Sequence, residues 1–91
     1  MTKLQDLCSD MTLISDKEEM YNFLQDLCTP NEIKSMYKRW HVCKLLSKND
    51  YSYRQIADLA QVSLTTVTRT ARFLKDGTNN GYISLLQKIK N

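Results

Sequence analysis

The stretch Leu64-Thr65-Thr66-Val67-Thr68-Arg69-Thr70-Ala71-Arg72 crowds four hydroxyls and two guanidinium groups into nine residues. Threonine is a mediocre helix former, so four within six residues of a helical segment point to a use for the side chains themselves. Hydroxyl and guanidinium groups contact phosphate oxygens and read base edges, and a threonine methyl can meet the methyl of thymine. Tyr53 and Arg54 supply the same chemistry a few residues upstream. The competing reading is a solvated helix face that happens to carry threonines.

Other chemistry has less support. His41 and Cys43 are close in sequence, but two helical residues on they point about 200° apart and cannot meet one substrate. The chain has no glycine-rich phosphate loop and no paired-carboxylate arrangement, so no enzyme is expected. Cys8, Cys28 and Cys43 form no CxxC pair or other metal-ligand spacing. They read as buried free thiols of a reducing cytoplasm, with no metal and no disulfide.

A helix-turn-helix over residues 52–75 would position the hydroxyls. Ser52-Tyr53-Arg54-Gln55 is a capping box that opens a short helix with Ile56, Leu59 and Ala60 on its inner side. Gln61-Val62-Ser63 breaks the pattern. Ser63 caps the next helix, which should bury Leu64, Val67, Ala71 and Leu74 and end with Gly77 in the left-handed C′ position. Ala57 lets the second helix cross closely, Val62 fills the turn, and Val67, ten positions after Ala57, anchors the second helix on the first. Gln61 stands where a glycine usually takes the left-handed turn, at a cost of roughly 1 kcal/mol.

The rest of the chain also reads as helix. Leu4, Leu7, Cys8 and Met11 make a short apolar stripe, and Ser15-Asp16-Lys17-Glu18 is a capping box opening a helix with Met20, Phe23, Leu24 and Leu27 inward. Thr29-Pro30-Asn31-Glu32 is the sharpest start, with proline at N1 and glutamate at N3. That helix should run to about Ser47 with apolar residues on more than one face, which calls for a second partner. A last helix over 82–90 offers Ile83, Leu86 and Ile89 as a stripe. The class is therefore all-α, one domain over 1–91.

Charge is divided along the chain. Residues 1–32 hold two lysines against seven acids, a net −5, whereas residues 33–91 hold eleven Lys or Arg against three acids, a net +8. The basic part suits a polyanion and leaves the acidic part another task. No apolar run has the length of a signal peptide core or a membrane span, so a cytoplasmic protein with no membrane partner is expected. A chain of 91 residues without a disulfide scaffold also favours self-association.

Leu27-Cys28-Thr29-Pro30-Asn31-Glu32, Tyr37-Lys38-Arg39, Leu45-Leu46, Ser52-Tyr53-Arg54-Gln55 and Leu64-Thr65-Thr66-Val67-Thr68-Arg69 together resemble the Trp repressor family. They are more closely similar to the Trp-repressor-like proteins of Gram-positive bacteria known as the YerC/YecD family, over about residues 14–90. The resemblance implies six helices and an intertwined homodimer in which residues 1–48 build a shared core, with a reading head at each end. It also implies that Thr29, Arg39 and Arg69 match positions lining a tryptophan pocket. Thr70 stands where that family has a glycine that makes room for the indole, and Phe73 replaces a serine near the amino group, so its ring would fill the pocket from within. No tryptophan corepressor and no other cofactor is therefore expected; Arg39 and Arg69 would serve as phosphate contacts or structural ion pairs, and any other small-molecule effector is left open.

These readings converge on a homodimeric, sequence-specific binder of double-stranded DNA, a transcriptional regulator of the repressor kind. Its contacts would come from Tyr53, Arg54, Ala57, Ser63, Leu64, Thr65, Thr66, Thr68, Arg69 and Arg72. The alternative is a helix-turn-helix used as a protein-interaction module without direct DNA readout, which calls for fewer cations and more exposed apolar residues on the second helix.

Overall fold

Helix-start chemistry sets the architecture of the computed structural model, which describes residues 2–90. Six helices follow in order: α1 (Lys3–Met11), α2 (Lys17–Leu27), α3 (Pro30–Lys48), α4 (Tyr53–Ala60), α5 (Leu64–Asp76) and α6 (Gly81–Lys90). Among the described residues there is no strand, and no helix is long and apolar enough to cross a membrane. The all-α reading stands.

Cα packing divides the chain into two compact units, Met1–Ile33 and Lys34–Asn91. In the first, Thr2 and Gln5 form a capping box at α1. The cap of α2 is one residue later than expected: Asp16 accepts the Glu19 amide at 2.8 Å, while the Glu19 carboxylate reaches back to the Ser15 amide at 3.2 Å. Ser15-x-x-Glu18 and Asp16-x-x-Glu19 both fit the pattern, serine and aspartate are equally good N-caps, and Asp16 takes the position. Neither α1 nor α2 has a buried residue; Leu4 of α1 is 68% exposed, and Leu13, in the connection between the two helices, 80%.

The second unit holds the core. Val42 and Leu45 of α3, Ile56 and Ala60 of α4 and Val67 of α5 form one buried cluster, against which Leu46, Ala57 and Val62 pack. Burying a valine or isoleucine of this kind contributes about 1.5–3 kcal/mol each. α5 packs on both α4 and α6, and the half-buried Trp40 and Tyr82 rings meet at a centroid distance of 6.1 Å.

Several apolar assignments are corrected. Leu59, Leu64, Ile83 and Ile89 are exposed although each lies three residues from a buried position of its own helix, so within this chain the cover stops short of them; Leu86 is the buried residue of α6. Of the thiols Cys43 alone is buried, while Cys28 is half-buried and Cys8 exposed. Gly77 is not left-handed: its φ is −65°, and the left-handed residues are Asn49, Gln61 and Asn80. Glycine is required at position 77 for space, since a Cβ there would collide with the Phe73 carbonyl oxygen.

Candidate nucleic-acid interface

The unit around α4 and α5 is built from local bonds. Ser52 and Gln55 complete a reciprocal box, with Ser52 N donating to Gln55 Oε1 at 2.8 Å and Gln55 N to Ser52 Oγ at 3.2 Å. α4 ends at Gln61, whose φ of 55° and ψ of 51° are left-handed. Gln61 N donates to the Asp58 carbonyl at 3.3 Å and Val62 N to the Ala57 carbonyl at 3.0 Å. This is a Schellman closure, and it explains how a glutamine holds the turn: two amides and the packed Val62 side chain offset the steric cost. Ser63 is extended and caps α5, with its Oγ accepting the Thr66 amide at 3.1 Å.

On the outer face of α5, Leu64, Thr65, Thr68, Arg69 and Arg72 line one shallow groove of about 290 Å³. All five are exposed. The Thr68 hydroxyl also donates to the Leu64 carbonyl at 3.1 Å. Neither α4 nor α5 has an acidic residue in its first turn, so the positive ends of both helix dipoles are free to face an anion.

The other residues singled out by sequence lie elsewhere. Thr66 is half-buried, shares a second groove with Ser35, Lys38, Arg39 and Val62, and has its hydroxyl 3.0 Å from that of Ser63. Thr70, grouped above with the other threonines, is 3% exposed and donates to the Thr66 carbonyl at 2.9 Å, so its hydroxyl serves the helix. Tyr53 lines a third groove with Tyr51, Leu46 and Leu74, Arg54 is exposed, and Ala57 is half-buried against the core.

The residues matched to an effector site are dispersed in part. Arg39 donates to the Ser35 carbonyl at 3.3 Å and lines a pocket of about 430 Å³ with Phe73, Asn79, Asn80, Gly81 and Tyr82. Arg69 belongs to the α5 groove instead. Thr29 caps α3, accepting the Glu32 amide at 3.2 Å, and its own amide donates to the Glu32 carboxylate at 2.8 Å. That bond and the Thr29 hydroxyl hold the Glu32 carboxyl below its ordinary pKa. Phe73 is 55% exposed and walls the pocket without filling it, which corrects the expectation of a ring plugging the site. Sequence reasoning missed Lys38, whose Nζ donates to the Gln61 carbonyl at 3.0 Å across 23 residues; no local pattern announces such a contact.

Comparison with known proteins places this arrangement. The profile of the family described as Trp repressor protein matches residues 2–90. The chain is 34% identical over 88 residues to the Bacillus subtilis protein YerC, itself described as uncharacterized, covering 97% of this chain and 83% of that one. It is 31% identical over 91 residues to a Trp operon repressor homolog of Aliivibrio salmonicida, covering 97% and 84%. Among solved structures it is similar to a TrpR-like protein from Eubacterium eligens, with a TM-score of 0.85, 31% identity and coverage of 94% and 87%.

Proposed function

The chain belongs to the Trp repressor family, and from that premise we propose that it is a sequence-specific DNA-binding transcriptional regulator of the repressor kind, acting as a homodimer. The observation that carries the reading is the α5 groove: Thr65, Thr68, Arg69 and Arg72 stand exposed together on a helix whose opposite side, Val67 and Ala71, is buried. Arg54 at the start of α4 adds a phosphate contact, and Leu64 an apolar contact for a thymine methyl. Two such helices, one from each subunit, would enter successive major grooves about 34 Å apart on a site of twofold symmetry.

The homodimer is supported by α1 and α2. Helices of 9 and 11 residues with no fully buried residue are marginal alone in water and gain most from an apolar partner face, which a second copy would supply. Tryptophan is not the effector in this reading, because the buried Thr70 stands where the resemblance places the glycine that makes room for the indole.

Selection from a random duplex pool tests the reading. A DNA reader returns a symmetric consensus and binds it with a steep salt dependence. Retention of no duplex at low ionic strength would leave the exposed Leu59 and Leu64 as an interaction surface and overturn the assignment.

A further inference from the structure

Gln61 is an unusual choice for a left-handed turn. The other non-glycine residues with positive φ, Asn49 and Asn80, are of the type whose short side chain tolerates that conformation, whereas glutamine brings no such help. Its amide is satisfied within α4, while its carbonyl accepts none of the turn and cap backbone bonds around it. Lys38 fills that vacancy. The lysine is half-buried, lines a groove with Ser35, Val62 and Thr66, and its ammonium donates to the Gln61 carbonyl oxygen at 3.0 Å. Both ends of this bond sit in structure that the core holds: Lys38 is on α3, one turn before the buried Val42, and Gln61 adjoins the buried Ala60.

We propose that Lys38 is a positioning residue of the reading head: by donating to the Gln61 carbonyl it clamps the left-handed turn to α3 and fixes the direction in which α5 presents Thr65, Thr68, Arg69 and Arg72. The bond is charge-assisted and stronger than a neutral one, and it ties α3 to the carbonyl of the left-handed residue itself. Lys38 thus acts through the turn, and its ammonium is already engaged before any phosphate arrives.

The inference rests on DNA recognition by α5, so the test has one arm with DNA and one without. Lys38→Met keeps the stem and deletes the donor, Lys38→Arg keeps a donor, and Gln61→Gly removes the need for the clamp because glycine takes the left-handed region freely. Without DNA, the Val62 amide of Lys38→Met should exchange about tenfold faster than in the parent, while Lys38→Arg stays near the parent. With DNA, Lys38→Met should lose about tenfold of its preference for the selected site over random duplex, with the slope of log affinity against log salt unchanged, and Gln61→Gly should restore most of that preference. A slope shallower by about 0.9 would make Lys38 a phosphate contact and overturn the proposal. Unchanged Val62 exchange would overturn it too. Should the parent chain prefer no duplex, the DNA assignment of α5 fails while the exchange arm still decides whether Lys38 holds the turn.

Discussion

The hydroxyls of Ser63 and Thr66 lie 3.0 Å apart, and the same Ser63 oxygen accepts the Thr66 amide at 3.1 Å. The pair closes the first turn of α5 and starts the helix at Leu64. Ser63→Ala removes the cap and should cost about 1 kcal/mol, or roughly 4–8 °C in Tm for a chain of this size. Ser63→Asp keeps an acceptor and should stay near the parent in stability. Thermal unfolding followed by circular dichroism checks both, and an alanine variant as stable as the parent would show that the cap is dispensable.

Because the Thr66 hydroxyl is engaged by Ser63 and half-buried, base selection should depend more on Thr65 and Thr68. Thr65→Ala is expected to flatten discrimination between sites at one base position by about 1–3 kcal/mol while affinity for random duplex holds. Arg54→Ala should weaken binding to every duplex and make the salt slope shallower by about 0.9, as loss of one phosphate contact requires. Competition gel shifts at two salt concentrations separate the two signatures. Identical losses on all sequences for both variants would undo the division of roles.

Gln61 shows what the sequence made legible and what it did not. Its position between two capped helices marked it as a left-handed turn, and the structure has it there with φ 55°. The caps at Ser52, Thr29 and Ser63 were equally readable, since each is a short-range bond between residues three apart. The Asp16 register was ambiguous because Glu18 and Glu19 both satisfy one pattern. Leu59 and Leu64 were assigned inward because periodicity reveals an apolar stripe but not which neighbour covers it. The Lys38 clamp and the burial of Thr70 depend on packing between helices distant in sequence, which spacing does not encode. From the same geometry, Gln61→Gly should leave the fold intact and raise Tm, the relief of left-handed strain of about 1 kcal/mol outweighing the added freedom of the unfolded chain. A fall in Tm would mean that the Schellman bonds and the Lys38 contact already offset the strain in full.

Leu4 and Leu13 are the most exposed large apolar side chains of the first unit. In a homodimer built on α1 and α2 they would be covered. Sedimentation of the full chain should therefore report twice the 10.6 kDa of one protomer, and Leu13→Lys should shift it toward monomer and make Tm strongly dependent on concentration. A parent chain that sediments as a monomer at every loading concentration would remove the homodimer from the functional reading.

Cys43 supplies a pH signature because its side chain is fully buried beside Val42. Burial disfavours the thiolate and pushes the thiol from 9.0 up to about 11. Between those values the unfolded chain has released the proton that the folded chain retains, so folding takes up a proton and stability falls as pH rises. The contribution is fully present below pH 9 and is lost through the window to about 11, with a slope of at most about 1.4 kcal/mol per pH unit from this group. Other groups titrate in the same range, so the informative quantity is the difference between the parent and Cys43→Ala. The alanine variant should be less stable near neutrality, from the cavity it leaves, and the gap should narrow as pH rises from 9 to 11. Alkylation gives an independent check: the exposed Cys8 should react first and Cys43 only on unfolding. Stability curves that run parallel across the whole window would mean that Cys43 is not held protonated by burial.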